Sequence, residues 1–509
     1  MFESLIETIP DLELGRQFRP RLAAGMPTMR QLSRDFSLVK NARWSGDGGR
    51  NVDARDILGT LELNRKIPQN PCSAGMEVFE TEKIRIEHPF QLRLTYRQGV
   101  LEPLGRTTFK VVPARYLKAN VKEANDELFS RAPFGSGPYR FLHREQESPT
   151  REAAVFQANP YYSQRYGKFG MPVIREIRFI IPNSSTAATD FANGQLHLIL
   201  DVPTTELPRY VNDPLAGGLL KAHTLAQNRR IWMLAVNHAR ISLRNTDLRR
   251  GLAAAINREE VLNTVYRIDG YRNVHRSLNG PFPFQSWATP KVKSPKVDPQ
   301  LFQKELAAGL LSTAAAQGGI QLSLKYNADD PLAARACLKI KDQVEACTVD
   351  GSGKPRVVLE LQPLPTQEFY VKLYDEHDFD LAYCPYDYSD DLYFLGHLLD
   401  GSAGGRGGRN FLSYLAEGGS PQPEDESIRM VLDQLRSHRD FKESYRELTW
   451  KLHKSFLDRM PFIPLWQLDR HIIVHQSVEM HRDSVSSRLI PETIDASRML
   501  NGAEMWRLR

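Results

Sequence analysis

The sequence predicts an α/β protein of more than one lobe, and three observations carry that reading. At 509 residues the chain is longer than one hydrophobic core ordinarily serves. From about residue 299 to 365, helix-type and strand-type patterns alternate, as in α/β lobes. Between Ile174 and Leu200 a strand pattern, a short helix, a glycine stop and a second strand pattern follow one another. That order predicts a βαβ-like unit in a sheet whose strand ends form a ligand crevice.

Composition narrows the function classes. The chain is 41% hydrophobic and 25% charged, the balance of a soluble globular protein. A net charge of +6, with arginines in scattered pairs such as Arg229-Arg230 and Arg249-Arg250, forms no basic stripe and argues against nucleic acid as a partner. Four cysteines are too few for a disulfide scaffold at this size, and Cys337 and Cys347 sit too far apart on one helical stretch to bridge, so free and mostly buried thiols are expected. CxxC, HExxH, GxxxxGKS and GxSxG are absent, and no nucleophile, base and orienter come together. A non-enzyme without metal or cofactor is therefore expected. No apolar run approaches the ~20 residues that span a bilayer. The start, MFESLIETIPDLELGRQF, carries acids and lacks the basic head and apolar core of a signal peptide.

Along the chain, Trp44 and the glycines from Gly46 to Gly49 predict a turn, with the indole filling its own lobe's core. The amphipathic helix that follows takes Asn51 or Asp53 as cap and buries Ile57, Leu58 and Leu61. KIRIEHPFQLRLTY and TTFKVVP alternate apolar and polar residues, which predicts half-buried antiparallel strands and a small α+β lobe ending near Pro172. In PFGSGPYRF, Gly135, Gly137 and Pro138 make a tight turn through glycine's access to positive φ, and a strand starts at Tyr139. Ile174 to Pro182 is the next strand, with Ile177, Phe179 and Ile181 on one face. A helix from Ser185 to Ala192 follows, capped by Asn183, Ser184 or Ser185 and stopped by Asn193-Gly194, and QLHLIL resumes as strand.

WMLAVNHAR is a further strand. The helix of TDLRRGLAAAINREE starts at Asn245 or Thr246 and restarts at Asn257, where Glu260 completes a capping box. A helix from about Pro299 to Ala316, the strand QLSLKY, the helix PLAARACLKIKDQVEA and the strand RVVLELQPL come next. Last is a long helix with Phe441, Tyr445, Leu448, Leu452 and Phe456 as its apolar stripe, stopped at Met460-Pro461.

The run FGSGPYRF, ANPYY, IREIRFIIP and FANGQLHLIL, the helix TDLRRGLAAAINREE and the stretch EHDFDLAYCPYDYSDDLYFLGHLLDG resemble, in this order, the family 5 extracellular solute-binding proteins, the oligopeptide- and dipeptide-binding class of ABC importers. The resemblance implies a three-lobed periplasmic-binding-protein-like clamp of type II. Its lobes would be 1–172, then 173–232 with 468–509, then 233–467, and its two sides would be joined by crossing hinge strands. The family's first strand and most of a helix have no counterpart before Phe2, which implies an incomplete larger lobe. The implied function is capture of a small ligand, most readily a peptide, for a membrane permease with its ATPase subunits, by a monomer outside the cytoplasm. A sugar or metal chelate is an alternative ligand, and the alternative to an importer subunit is a cytoplasmic ligand-sensing module of the same fold, which the missing signal segment favours and the missing helix-turn-helix opposes.

The same resemblance points to ligand contacts. Asp387, between Tyr386 and Tyr388, fills the place of the aspartate that pairs with a peptide's α-ammonium, although Asp391 stands where the family has proline and the spacing is about two residues short. A carboxylate among Tyr383, Tyr386 and Tyr388 would form a strong charge-assisted pair in a drained pocket. As readily, it could serve its own turn. In the glycine loop GSAGGRGGRN, Arg406 and Arg409 are candidates for a ligand carboxylate or for simple solvation.

Overall fold

The structure is a computed structural model that describes residues 1–9, 17–66, 79–97, 99, 103–114, 131–148, 151–165, 171–181, 186–225, 229–284, 286–290, 301–349, 351, 353–388, 393–400, 410–415, 425–437, 443–480, 500 and 502–509. The chain forms two compact units. The first comprises Met1–Val202, Leu207–Leu225 and His471–Arg509, and the second Pro203–Glu206 and Ala226–Arg470.

Two apolar clusters build the first unit. One gathers Leu5, Phe36, Trp44, Ile57, Phe79, Leu94 and Phe134, and the other Tyr139, Ala158, Ile472, Val474 and Trp506. Trp44 is fully buried in the first, as its sequence context predicts, and its Nε1 donates to Asp56 Oδ2 at 3.1 Å. Asp53 caps the helix Ala54–Lys66, its Oδ1 accepting from Arg55 N at 2.8 Å, while Asp56 three residues on takes the Asp53 amide at 3.0 Å. The second bond is the return half of a capping box, while the cap side chain itself takes the amide two residues on.

Several expectations for this unit change. Arg85–His88 and Gln91–Thr95 pair antiparallel as read, but TTFKVVP forms no strand and contributes one isolated bridge, Ser4 to Lys110. Gly135 and Gly137 are required by close approach, not by positive φ. A Cβ on either would stand 2.3 Å or 2.6 Å from the Met1 carbonyl oxygen, to which the Gly137 amide donates at 2.7 Å. The turn they make is held by Glu3, buried between Ser136 Oγ at 2.9 Å and the Arg165 guanidinium at 2.6 Å.

The βαβ-like unit does not form in one sheet. Glu176–Ile180 pairs antiparallel with Arg151–Ala158, whereas Leu198–Val202 pairs antiparallel with Arg470–His475 in a separate three-stranded sheet that also holds Leu220–Leu225. The intervening helix, Ala187–Ala192, connects two sheets, and Gly194 supplies the left-handed stop at φ 68°. The expected caps Asn183 to Ser185 lie outside the described residues, and the helix starts at Ala187 with Thr186 in the cap position, without a side-chain cap bond. Glu176–Ile180 leaves Phe179 and Ile181 exposed: its register sets Ile177 opposite Phe156 and Phe179 opposite Ala154, on the other face of the sheet from the buried Ala153 and Val155, and alternation alone does not say which face is covered.

The second unit is built on a six-stranded mixed sheet in the order Arg276–Ser277, Ile463–Gln467, Arg230–Val236, Leu381–Asp387, Ile320–Asn327 and Val357–Leu364. Ile320–Asn327 and Val357–Leu364 run parallel, with Pro331–Ala346 as the crossover helix the sequence predicts to the residue. Asp330 caps that helix and Pro331 takes its first position. The helix expected from Pro299 is described from Lys304 to Ala314. Asn245 caps Thr246–Ala255 as expected, and Asn257 Oδ1 accepts from Glu260 N, but the capping box is not closed. The Asn257 amide donates to Gln343 Oε1 at 2.9 Å, and Glu260 Oε2 instead accepts from Gln343 Nε2. On the long helix Glu443–Arg459, Tyr445, Leu448, Leu452 and Phe456 are buried, Phe441 lies outside the described residues, and the chain turns at Met460 with φ 45°. Cys337, Cys347 and Cys384 are free.

Candidate ligand-binding face

The Leu381–Asp387 strand is buried over Leu381 to Cys384 and reaches solvent at Asp387. Its ladder to Ile320–Asn327 is described at Leu381 and Ala382 only, so Pro385 stands past it, where a missing N–H costs that ladder nothing. On the other side it pairs antiparallel with Arg230–Val236 over its whole length, placing Asp387 opposite Arg230, Pro385 opposite Trp232 and Tyr383 opposite Leu234. Strand alternation puts these six residues on one face.

That face has a fixed aromatic part and a charged end. Trp232 is half-buried and stacks on Tyr383 with ring centroids 4.9 Å apart. The Tyr383 hydroxyl is fixed within the core by Tyr266 Oη at 2.7 Å and by Trp466 Nε1, which donates to it at 3.2 Å. At the end of the face, Arg230 Nε donates to Asp387 Oδ1 at 2.8 Å and Nη2 to Oδ2 at 2.9 Å. Both side chains remain open to water, at 41% and 57% exposure.

The neighbours of Asp387 hold its backbone. Tyr388 is buried, its amide donates to Arg229 O at 2.8 Å and its hydroxyl to Pro281 O at 2.7 Å, and burial pushes that hydroxyl's pKa far up. Tyr386 packs edge-on against Tyr388 at 5.0 Å and is half-buried. Tyr374 stands close by, its hydroxyl pKa raised chiefly by burial and further by the Cys384, Tyr370 and Asp387 charges. Among the described residues no group of three or more His, Cys, Asp and Glu is placed to hold a metal ion, and no helix is long and apolar enough to cross a membrane. An open cavity of about 750 Å³ in the same unit lies elsewhere, beside Arg244, Asp247, Arg250 and Asp458, and offers both signs of charge.

Residues 17–406 match the sequence pattern of the bacterial extracellular solute-binding proteins, family 5 Middle. The chain belongs to this family. The family 5 assignment makes it a relative of proteins defined by solute binding rather than catalysis, and of extracellular ones. Solved structures carry the same fold across the whole chain. The Bacillus subtilis oligopeptide-binding protein AppA, solved with a nonapeptide, is 17% identical, with TM-score 0.72 over 100% of this chain and 93% of that one. The Helicobacter pylori periplasmic binding protein DppA, solved with the peptide STSA, is 15% identical, with TM-score 0.74 over 100% and 92%. NikZ from Campylobacter jejuni, solved with Ni(L-His), is 17% identical, with TM-score 0.74 over 99% and 93%. No curated protein sequence matches this chain.

Of the residues the sequence nominated for this family 5 chain, Asp387, Tyr386 and Tyr388 lie together at one strand end, with different exposures. Tyr388 has its hydroxyl committed to Pro281. Arg406 and Arg409 lie outside the described residues. Sequence reasoning missed Arg230 and Trp232. Arg230 was visible only as half of a scattered arginine pair, and its place opposite Asp387 depends on a strand register 157 residues away in sequence.

Proposed function

We propose that this family 5 chain is the solute-binding subunit of an ABC importer, that its ligand is a peptide, and that Asp387 receives the peptide's α-ammonium, with Tyr386 and Tyr388 beside it. The observation that carries the reading is the placement of Asp387 at the exposed end of a sheet face whose next member is the half-buried, stacked Trp232. A charged group beside a rigid aromatic suits one polar terminus and the chain that follows it. The same-fold relatives solved with peptides lend weight to peptide over metal chelate. Peptides can be held through their main-chain groups and termini while side chains sit in watery pockets, which requires no catalysis. The monomer would work outside the cytoplasm and pass its ligand to a permease with ATPase subunits, with Arg406 and Arg409 as candidate partners of a ligand carboxylate. In a three-lobed reading the first unit divides between its two apolar clusters, with Tyr139 and Ala158 packing in the second, so that the division falls before residue 139 instead of at 172.

Calorimetric titration with short peptides tests it. Asp387→Ala should weaken peptide binding about 10-fold, the loss of one charge-assisted hydrogen bond. An unchanged affinity would sink the assignment of Asp387.

A further inference from the structure

Resting on the peptide reading above, one feature of the same face goes beyond it: the carboxylate expected to receive a ligand cation already holds one from its own chain. Arg230 and Asp387 are direct partners across the antiparallel strands, and the guanidinium uses both carboxylate oxygens in parallel bonds of 2.8 Å and 2.9 Å. This is the fork geometry that guanidinium makes better than any ammonium. At 41% and 57% exposure the two groups are solvated, so the pair is of the weak, exchangeable kind. The adjacent surface is the opposite. Trp232 is stacked on Tyr383, whose hydroxyl is held by Tyr266 and Trp466.

We propose that Arg230 is a specificity-determining residue, an internal competitor that occupies Asp387 until a ligand displaces it. An ammonium approaching Asp387 meets a neutral pair instead of a full negative charge, so a bare cation gains little. Exchange becomes favourable when the ligand also brings an acceptor next to its ammonium, to which the released guanidinium can donate. A peptide's α-ammonium has such an acceptor in the first carbonyl, and a free amino acid has one in its carboxylate. The ligand class selected is thus an α-ammonium with an oxygen acceptor beside it, bound with its first side chain towards Trp232.

Calorimetry with the full chain tests this, using trialanine and N-acetyl-trialanine as probes on the native protein, Arg230→Gln and Arg230→Lys. Glutamine removes the competing charge while its amide can still donate to the ligand's acceptor, so Arg230→Gln should bind trialanine about fivefold tighter. It should bind the acetylated form as the native protein does. Arg230→Lys keeps the charge and loses the fork, and should fall between the two. A thermal melt unchanged from the native protein would confirm that an exposed side chain has been altered without unfolding. If the native protein binds trialanine and Arg230→Gln binds it equally or more weakly, the competitor role is overturned and the peptide reading stands. If neither binds either probe, the peptide reading is overturned and the competitor role with it.

Discussion

Asp56 in the first unit and Asp387 in the second are the same side chain in opposite circumstances. Asp56 has no exposed surface, and four donors from four different residues converge on it: Trp44 Nε1, the Asp53 amide, Arg50 Nη2 at 2.6 Å and the Ala114 amide at 2.8 Å. Asp387 is 57% exposed and has two described donors, both from Arg230. A carboxylate enclosed by fixed donors ties an indole, a helix start and a distant loop into one core. One held by a single flexible side chain at a strand end ties little and can change partners. The contrast separates an enclosed structural acid from an exposed one that can exchange partners better than residue type or neighbouring aromatics do.

The comparison breaks most readily at Asp56. Asp56→Ala should lower stability by about 3–5 kcal/mol in urea denaturation, because it leaves the buried Trp44 Nε1 and the Asp53 and Ala114 amides without their acceptor and removes one of the three carboxylates that Arg50 pairs with. A loss under ~1 kcal/mol would mean the enclosed acid is no more structural than the exposed one.

A smaller effect is expected from acid acting on buried groups of the second unit. His238 donates from Nε2 to Pro461 O at 2.8 Å, and its pKa is pushed down to about 3 by burial, then by Arg249. His453 packs where a Cβ on Gly280 would collide with its ring, and burial takes its pKa down to about 4. Both folded values lie below the ordinary histidine value. The unfolded chain therefore binds protons first, and stability present above pH 6.5 is lost as pH falls. Each histidine should cost about 1 kcal/mol over the unit from pH 6.5 to 5.5. Carboxyls such as Asp378, held low by Lys325, then Lys372, act only further into acid. Denaturation curves that coincide at these two pH values would show that the histidines are not buried neutral.

Least of all should change on Asp387→Asn, with under ~1 kcal/mol of stability lost in the same denaturation series. A larger loss would place Asp387 with Asp56 as a structural acid, while a small one together with weakened peptide binding would sharpen the distinction.

The α/β class, the Pro331–Ala346 crossover between parallel strands and the Asn245 cap were legible because each is set by residues near in sequence: an apolar period, a proline at a first turn, a side chain two or three positions from the amide it receives. Trp44 was legible as core for the same reason. Asp387 with its tyrosines was legible as a candidate because a short run of side chains carried the family resemblance.

What sequence alone could not decide is which distant backbone each segment would meet. The strands around Gly194 read as one βαβ-like unit, yet pairing with Arg151–Ala158 and with Arg470–His475 sends them to different sheets. Gly135 and Gly137 read as turn formers, and the Met1 carbonyl against them supplies the actual reason. Glu260 read as a capping-box partner until Gln343, 83 residues away, took its carboxylate. Arg230 read as surface charge until strand register set it opposite Asp387. Local periodicity and capping fix the elements, because the groups involved are close along the chain. Register and burial fix the charges' partners, and only the folded backbone brings those partners within hydrogen-bond reach.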